Sequence, residues 1–300
     1  DALHEVYGIR GELPRLLRFA TWVGGDMDGN PNVGAQTIAA TLATQRAQVL
    51  DRYVAELGEL ASLLSQTTGR AQVTQAVLDR AEHYRERFPA ASKAIRARHA
   101  DMPYRVLLTL MRARLRATQR DQPDAYASAE EFIADIDLVA DSLAAHRGLH
   151  AGWFQIRRLR WRVRSFGFHL ARLDLRQDSR QHAQAVGALL NDPDWAERSA
   201  IEQAETLTPY AAGEARFPRP GIAAAASTLA VFDELHTSRE RYGAEATGGE
   251  SSPTLPVSPY GVTKLAAEHL LHDVREAECE GRGAAGARDD RLLPDVRGGR

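Results

Sequence analysis

Three hundred residues, 44% hydrophobic and 26% charged, can fill one large α/β barrel or two ordinary domains, and exclude collagen-like, disordered and disulfide-scaffold chains. With 38 basic and 40 acidic residues the formal charge is −2, which gives no electrostatic case for a nucleic-acid partner. No apolar run reaches the roughly 18 residues of a membrane span, and no basic-then-apolar leader is present, so a cytoplasmic location is expected. The single cysteine, Cys279, excludes an internal disulfide or a multi-cysteine metal site. Only Lys93 and Lys264 are lysine, and with so much alanine and glycine the arginine excess reads as GC-rich coding bias.

From Gln36 to about Gln66, Ile38, Leu42, Val49, Tyr53, Leu57, Leu60 and Leu64 recur at helical spacing and predict one long amphipathic helix. A second helix carries Val73, Val77, Ala81, Tyr84 and Phe88 and stops at Pro89. A third follows Pro103 with Leu107, Leu110, Met111, Arg114 and Leu115 on one stripe. Ser128 and Glu131 form a capping box for a fourth, bearing Phe132, Ile136, Val139 and Leu143. After a short helical stretch from Trp153, residues 166–176 alternate as a strand, with Phe166, Phe168 and Leu170 on one side and Leu173 and Leu175 on the other. A helix is expected at 181–190, a proline-containing linker at 191–220 and a further helix near 223–242.

Two polar constellations stand out. The first is Trp22-Val-Gly-Gly-Asp-Met-Asp-Gly-Asn-Pro-Asn32, a loop with free backbone amides whose Asp26, Asp28 and Asn30 are suited to holding a cation, orienting an arginine or simply capping a turn. An EF-hand is rejected because its twelfth position is Thr37, not glutamate. The second is Arg176-Gln-Asp-Ser-Arg, with His182 shortly after. An arginine at a strand's C-terminal end presents a planar fork for phosphate or carboxylate, with Asp178 as the candidate to hold it. A plain Arg–Asp structural pair, Asp174 with Arg172 or Arg176, is the competing reading, and His169 and His182 read as packing or surface residues.

The segments Phe-Ala-Thr-Trp-Val-Gly-Gly-Asp-Met-Asp-Gly-Asn-Pro-Asn-Val (19–33) and Phe-Gly-Phe-His-Leu-Ala-Arg-Leu-Asp-Leu-Arg-Gln-Asp-Ser-Arg-Gln-His (166–182) resemble two signature segments of phosphoenolpyruvate carboxylase, in the family's order and at about its separation. Residues 102–115 and 228–246 add to the resemblance, which covers about residues 1–248. It implies a mostly α chain with part of an α/β (TIM-type) barrel, incomplete here. It also implies carboxylation of phosphoenolpyruvate with bicarbonate to oxaloacetate and phosphate, with Mg2+ or Mn2+, in a homotetramer. It assigns substrate contact and a catalytic role to Arg176, and a structural or anion-organising role to Asp26, Asp28 and Asn30. Met27 stands where the family usually carries arginine. The family's Thr-Ala-His-Pro-Thr histidine, catalytic lysine segment, metal-binding carboxylates and Gly-Arg-Gly-Gly loop are not found. The resemblance therefore implies an internal segment that is inactive alone, and the opening without methionine agrees with this expectation.

Residues 249–300 do not continue that pattern. The piece at 253–271 resembles the Tyr-x-x-x-Lys segment of NAD-dependent nucleotide-sugar epimerases and dehydratases, with Tyr260 as proton-transfer residue and Lys264 lowering its pKa. The glycine motif Gly281-Arg-Gly-Ala-Ala-Gly286 follows rather than precedes it and opens no apolar helix, and the Gly/Arg-rich end reads as disordered. A fusion or frameshift junction near Gly248 is expected. The competing functions are an epimerase or dehydratase at Tyr260 and Lys264, and a non-catalytic helical scaffold.

Overall fold

The structure, a computed structural model, describes residues 2–8, 17, 19–211, 214–215 and 230–231. Helices dominate: α1 (Ala2–Tyr7), α2 (Ala35–Leu63), α3 (Gln75–Arg87), α4 (Pro89–Lys93), α5 (Pro103–Gln119), α6 (Ala129–Ala145), α7 (Trp153–Phe166), α8 (Ser179–Leu190) and α9 (Ala200–Ala211). Two short strands, β1 (Ala20–Thr21) and β2 (Arg172–Leu173), pair in parallel, Ala20 with Arg172 and Thr21 with Leu173. The described residues fall into two compact units. Of the described residues, one takes those up to Gly24 and then Ala39–Asp174, the other Gly25–Ile38 and those from Leu175 to 231.

In the first unit the predicted stripes meet in one core. Leu50, Leu57 and Leu64 of the α2 segment, Val77 and Tyr84 of α3, Leu107 to Leu115 of α5, Phe132 to Leu143 of α6, and Ile156, Leu159 and Val163 of α7 are buried together. Burial of that apolar area is the main favourable term holding the helices in place. Phe132 sits at its aromatic centre, 5.1 Å from Tyr126, 5.9 Å from Tyr53 and 6.2 Å from Phe168 between ring centroids. Pro89 ends α3 as expected and also opens α4 as its first residue, as Pro103 opens α5, because an N1 proline forgoes a donor that no helix would use. The α6 cap is a shifted box: Glu131 N donates to Ser128 Oγ at 3.3 Å, while Glu131 Oε2 accepts from Ala127 N at 2.9 Å rather than from Ser128.

The strand expected over 166–176 is corrected to two residues. Phe166 closes α7, Gly167 and Leu170 take left-handed conformations (φ 53° and 70°), and a turn rather than a pleat drives Phe168 into the core. The apparent alternation of Phe166, Phe168 and Leu170 came from that turn. Tyr53 Oη donates to Gly167 O at 2.9 Å and anchors it, and burial raises the Tyr53 pKa. The linker expected at 191–220 is also corrected in part, because it contains α9. Ser199 and Glu202 form a reciprocal capping box there (Glu202 N to Ser199 Oγ 3.3 Å, Ser199 N to Glu202 Oε2 2.8 Å), and the helix ends two residues past Pro209. In the second unit Val186, Trp195 and Leu207 form a small core. The helix expected near 223–242 lies outside the described residues except for 230–231, which are helical. The Gly/Arg-rich end and the candidate junction lie outside them altogether.

His169 carries a pH consequence. Burial first, then the nearby Arg46 guanidinium, lowers its pKa from 6.5 to about 4. The neutral imidazole is the form the fold accepts, so its contribution is fully present above pH 6.5 and is lost as pH falls through 4. The stability of the parent is expected to drop by about 3 kcal/mol more than that of His169→Gln between pH 7 and 4. Parallel urea titrations of the two proteins test this, and equal pH slopes would contradict it.

Candidate functional site

The candidate site lies in the second unit, where the aspartate-glycine loop and the segment after β2 come side by side. Asp26 and Arg176 form an isolated parallel bridge. Arg176 N donates to Gly25 O at 2.9 Å and Met27 N donates to Arg176 O at 2.8 Å, so backbone bonds hold Arg176 beside the loop on both sides. The side chains meet as well, with Arg176 Nη1 3.8 Å from Asp26 Oδ2, both about half exposed. Beyond Asp26 the loop closes on itself. Asn30 N donates to Met27 O at 3.3 Å, Asn32 N donates to Asn30 Oδ1 at 3.1 Å, and Thr37 Oγ1 donates to Asn32 O at 2.9 Å. Asn30 therefore serves as an Asx turn residue leading into α2. Asp28 is exposed, and its charge contributes to raising the Arg180 pKa after the larger effect of Asp178.

Asp178 does not hold Arg176, contrary to the sequence expectation. It caps α8, accepting from Arg180 N at 2.9 Å, and both its oxygens take the Arg180 guanidinium. A carboxylate at an N-cap already points along its own helix, and the i+2 arginine is the nearest cation. The Arg180 hydrogen bonds hold the Asp178 carboxyl below its usual pKa. Arg176 instead comes within ion-pair range of Asp26, roughly 150 residues earlier, a pairing that no local spacing signals.

Gly24 sets the approach to Asp26. Its φ is +85°, and a Cβ there would fall 2.0 Å from Thr41 Oγ1. Gly24→Ala is expected to cost about 2–3 kcal/mol from left-handed strain and overpacking together. Adding Thr41→Ala should return only the overpacking part. Denaturant midpoints of the single and double variants separate the two, and full recovery in the double would show that φ contributes nothing.

Sequence reasoning also missed a buried polar network in the first unit. Asp135, fully buried, accepts from Tyr84 Oη at 2.5 Å, from Tyr126 Oη at 2.7 Å and from Arg80. Arg114, 3% exposed, donates to Tyr84 Oη at 2.6 Å, to Asp124 O at 3.1 Å and to Glu131, and stacks over the Tyr126 ring at 4.1 Å. The only signal in the sequence was Arg114 on an apolar stripe. Burial, then the Asp135 charge, raises the pKa of both tyrosines, which keeps them as donors.

The phosphoenolpyruvate carboxylase family model matches residues 2–249. The chain belongs to the phosphoenolpyruvate carboxylase family. Curated proteins named phosphoenolpyruvate carboxylase include one from Xanthomonas euvesicatoria pv. vesicatoria (strain 85-10), 55% identical over 247 residues, covering 82% of this chain and 27% of that protein. One from Aromatoleum aromaticum (strain DSM 19018 / LMG 30748 / EbN1) is 34% identical over 254 residues (78% of this chain, 27% of that protein). One from Rhodopseudomonas palustris (strain ATCC BAA-98 / CGA009) is 33% identical over 254 residues (79% and 26%). The chain thus spans about a quarter of the length of the phosphoenolpyruvate carboxylases it matches. The matched region ends before Tyr260 and Lys264, which lie outside the described residues, and nothing in these likenesses favours an epimerase or a scaffold.

No group of three or more His, Cys, Asp or Glu side chains suited to a metal ion occurs among the described residues. No described helix is long and apolar enough to cross a membrane.

Proposed function

We propose that this chain supplies part of the substrate site of a phosphoenolpyruvate carboxylase, which joins bicarbonate and phosphoenolpyruvate to give oxaloacetate and phosphate. The observation that carries the proposal is the likeness over residues 2–249, reaching 55% identity. It is supported by the placement of Arg176, just past β2 and half exposed. In this reading residues 1–248 are the carboxylase segment and 249–300 a tail outside the pattern. The parallel β1–β2 pair is the start of an α/β barrel, and the complete enzyme is a cytoplasmic homotetramer.

Bicarbonate oxygen attacks phosphorus, the bond from phosphorus to the enol oxygen breaks, and carboxyphosphate and the enolate of pyruvate form. Carboxyphosphate releases carbon dioxide and phosphate, and the enolate carbon captures the carbon dioxide. Negative charge gathers on the phosphoryl group and then on the enolate, so a fixed cation aimed at it lowers the barrier. Arg176 provides such a cation, and its planar fork suits either anionic group of phosphoenolpyruvate. Asp26, Asp28 and Asn30 shape the loop beside it. The test is Arg176→Ala in the full-length enzyme carrying this segment, with phosphoenolpyruvate-dependent oxaloacetate formation as readout. Unaltered turnover and affinity would remove Arg176 from the site.

A further inference from the structure

We propose that Asp26 is a positioning residue for Arg176, its carboxylate setting the direction in which the guanidinium meets an anionic group of the substrate. The inference rests on the reading of Arg176 as a substrate contact.

Three features of the site carry it. First, the parallel bridge puts the two residues side by side on neighbouring segments, where paired side chains share a face. Second, the contact is unequal. Asp26 has a short side chain on a loop whose preceding turn is set by Gly24, whereas Arg176 reaches it with a long, many-rotamer side chain. The acid is therefore the fixed member and the base the one being oriented. Third, the Asp26 carboxylate is under-satisfied. Its Oδ2 stands 3.8 Å from Arg176 Nη1, within ion-pair range but beyond hydrogen-bond reach, and its Oδ1 is buried with no hydrogen-bond partner among the described residues. A buried carboxylate oxygen left without a donor is costly and calls for an explanation, of which a role at a site is one. Asp178 is engaged by Arg180, and Asp26 stands within ion-pair range of Arg176.

A carboxylate behind the guanidinium partly offsets its charge, so it adds little to ground-state affinity for an anion. What it supplies is orientation before charge develops, which acts on turnover. In the full-length enzyme carrying this segment, assayed with phosphoenolpyruvate, bicarbonate and magnesium, Asp26→Asn is expected to lower kcat about tenfold and leave the KM for phosphoenolpyruvate within about twofold. Asp26→Glu, which keeps the charge, should recover kcat to within about threefold of the parent. In an Arg176→Lys background, where the fork is already lost, Asp26→Asn should change kcat by less than about twofold.

Independent, multiplying losses in that cycle would overturn the proposal, as would an Asp26→Asn kcat within twofold of the parent while Arg176→Lys is impaired. A parent-like Arg176→Lys and Arg176→Ala would instead fail the underlying reading of Arg176. A merely structural Asp26 would lower the melting temperature and kcat together and multiply with Arg176→Lys. If Asp26→Asn does not fold, the Asp26→Glu arm of the same cycle decides: a kcat more than tenfold below the parent in a protein of parent-like melting temperature overturns the proposal.

Discussion

Asp135→Ala is expected to destabilise the protein by about 3–5 kcal/mol, the cost of breaking a buried charge pair from one side. The carboxylate is fully buried and is the common acceptor for Tyr84, Tyr126 and Arg80. Its loss strands two hydroxyl donors and leaves Arg80 without its compensating anion, while Arg114 keeps Glu131. Asp135→Asn keeps the volume, but its amide nitrogen would face a donor, so it too should be destabilising, by about 2 kcal/mol. Equilibrium urea unfolding of both variants measures this. A loss below about 1 kcal/mol in Asp135→Ala would mean that the network contributes shape but little energy. High pH should act on the same network. Tyr84 and Tyr126 have raised pKa values in the fold, so the stability they confer is complete below pH 10 and is lost as pH rises through their folded values.

Arg176→Ala is expected to lower kcat/KM for phosphoenolpyruvate about a thousandfold in the full-length enzyme, or about 4 kcal/mol of transition-state stabilisation. The reason is geometric as much as electrostatic. The backbone of Arg176 is held on both sides, by Gly25 and Met27, so the guanidinium springs from a fixed point and needs no reorganisation as charge develops. Arg176→Lys should recover part of the loss, about tenfold, because it restores a point charge without the fork. Stability should scarcely change, since the Arg176–Asp26 pair is half exposed and weak by distance. An Arg176→Ala enzyme that loses stability and activity in proportion would assign the residue to the fold rather than to the substrate.

The helices were legible because each carries its own periodicity. The α2, α3, α5 and α6 stripes name the residues that the core buries, and Ser128, Pro89 and Pro103 mark ends through local backbone chemistry. The short strands were not legible. A two-residue pairing has no measurable period, and the Phe166–Phe168–Leu170 alternation imitated one. At the site, the sequence showed both halves, Asp26 in a glycine loop suited to orienting an arginine and Arg176 past its strand, but it joined Arg176 to Asp178 rather than to that loop. Nearness in sequence favoured Asp178, and only the fold brings Asp26 closer. The Asp135 network was invisible for the same reason, because its members come from α3, α5, α6 and the loop carrying Tyr126.

The β1–β2 pairing has a consequence for the order of assembly. Its partners lie about 150 residues apart, so closing that ring costs chain entropy with only a few backbone bonds in return. The neighbouring helices α3, α5, α6 and α7 join residues close in sequence and gain buried area as they form. The strand pair is therefore expected to be among the last contacts made and the first lost. Because Asp26 and Arg176 follow shortly after those two strands, their pairing is expected to form after the helices. Partly folded chains, however helical, would carry both residues and no site, so helix content read by circular dichroism should recover before phosphoenolpyruvate binding during refolding of the full-length enzyme.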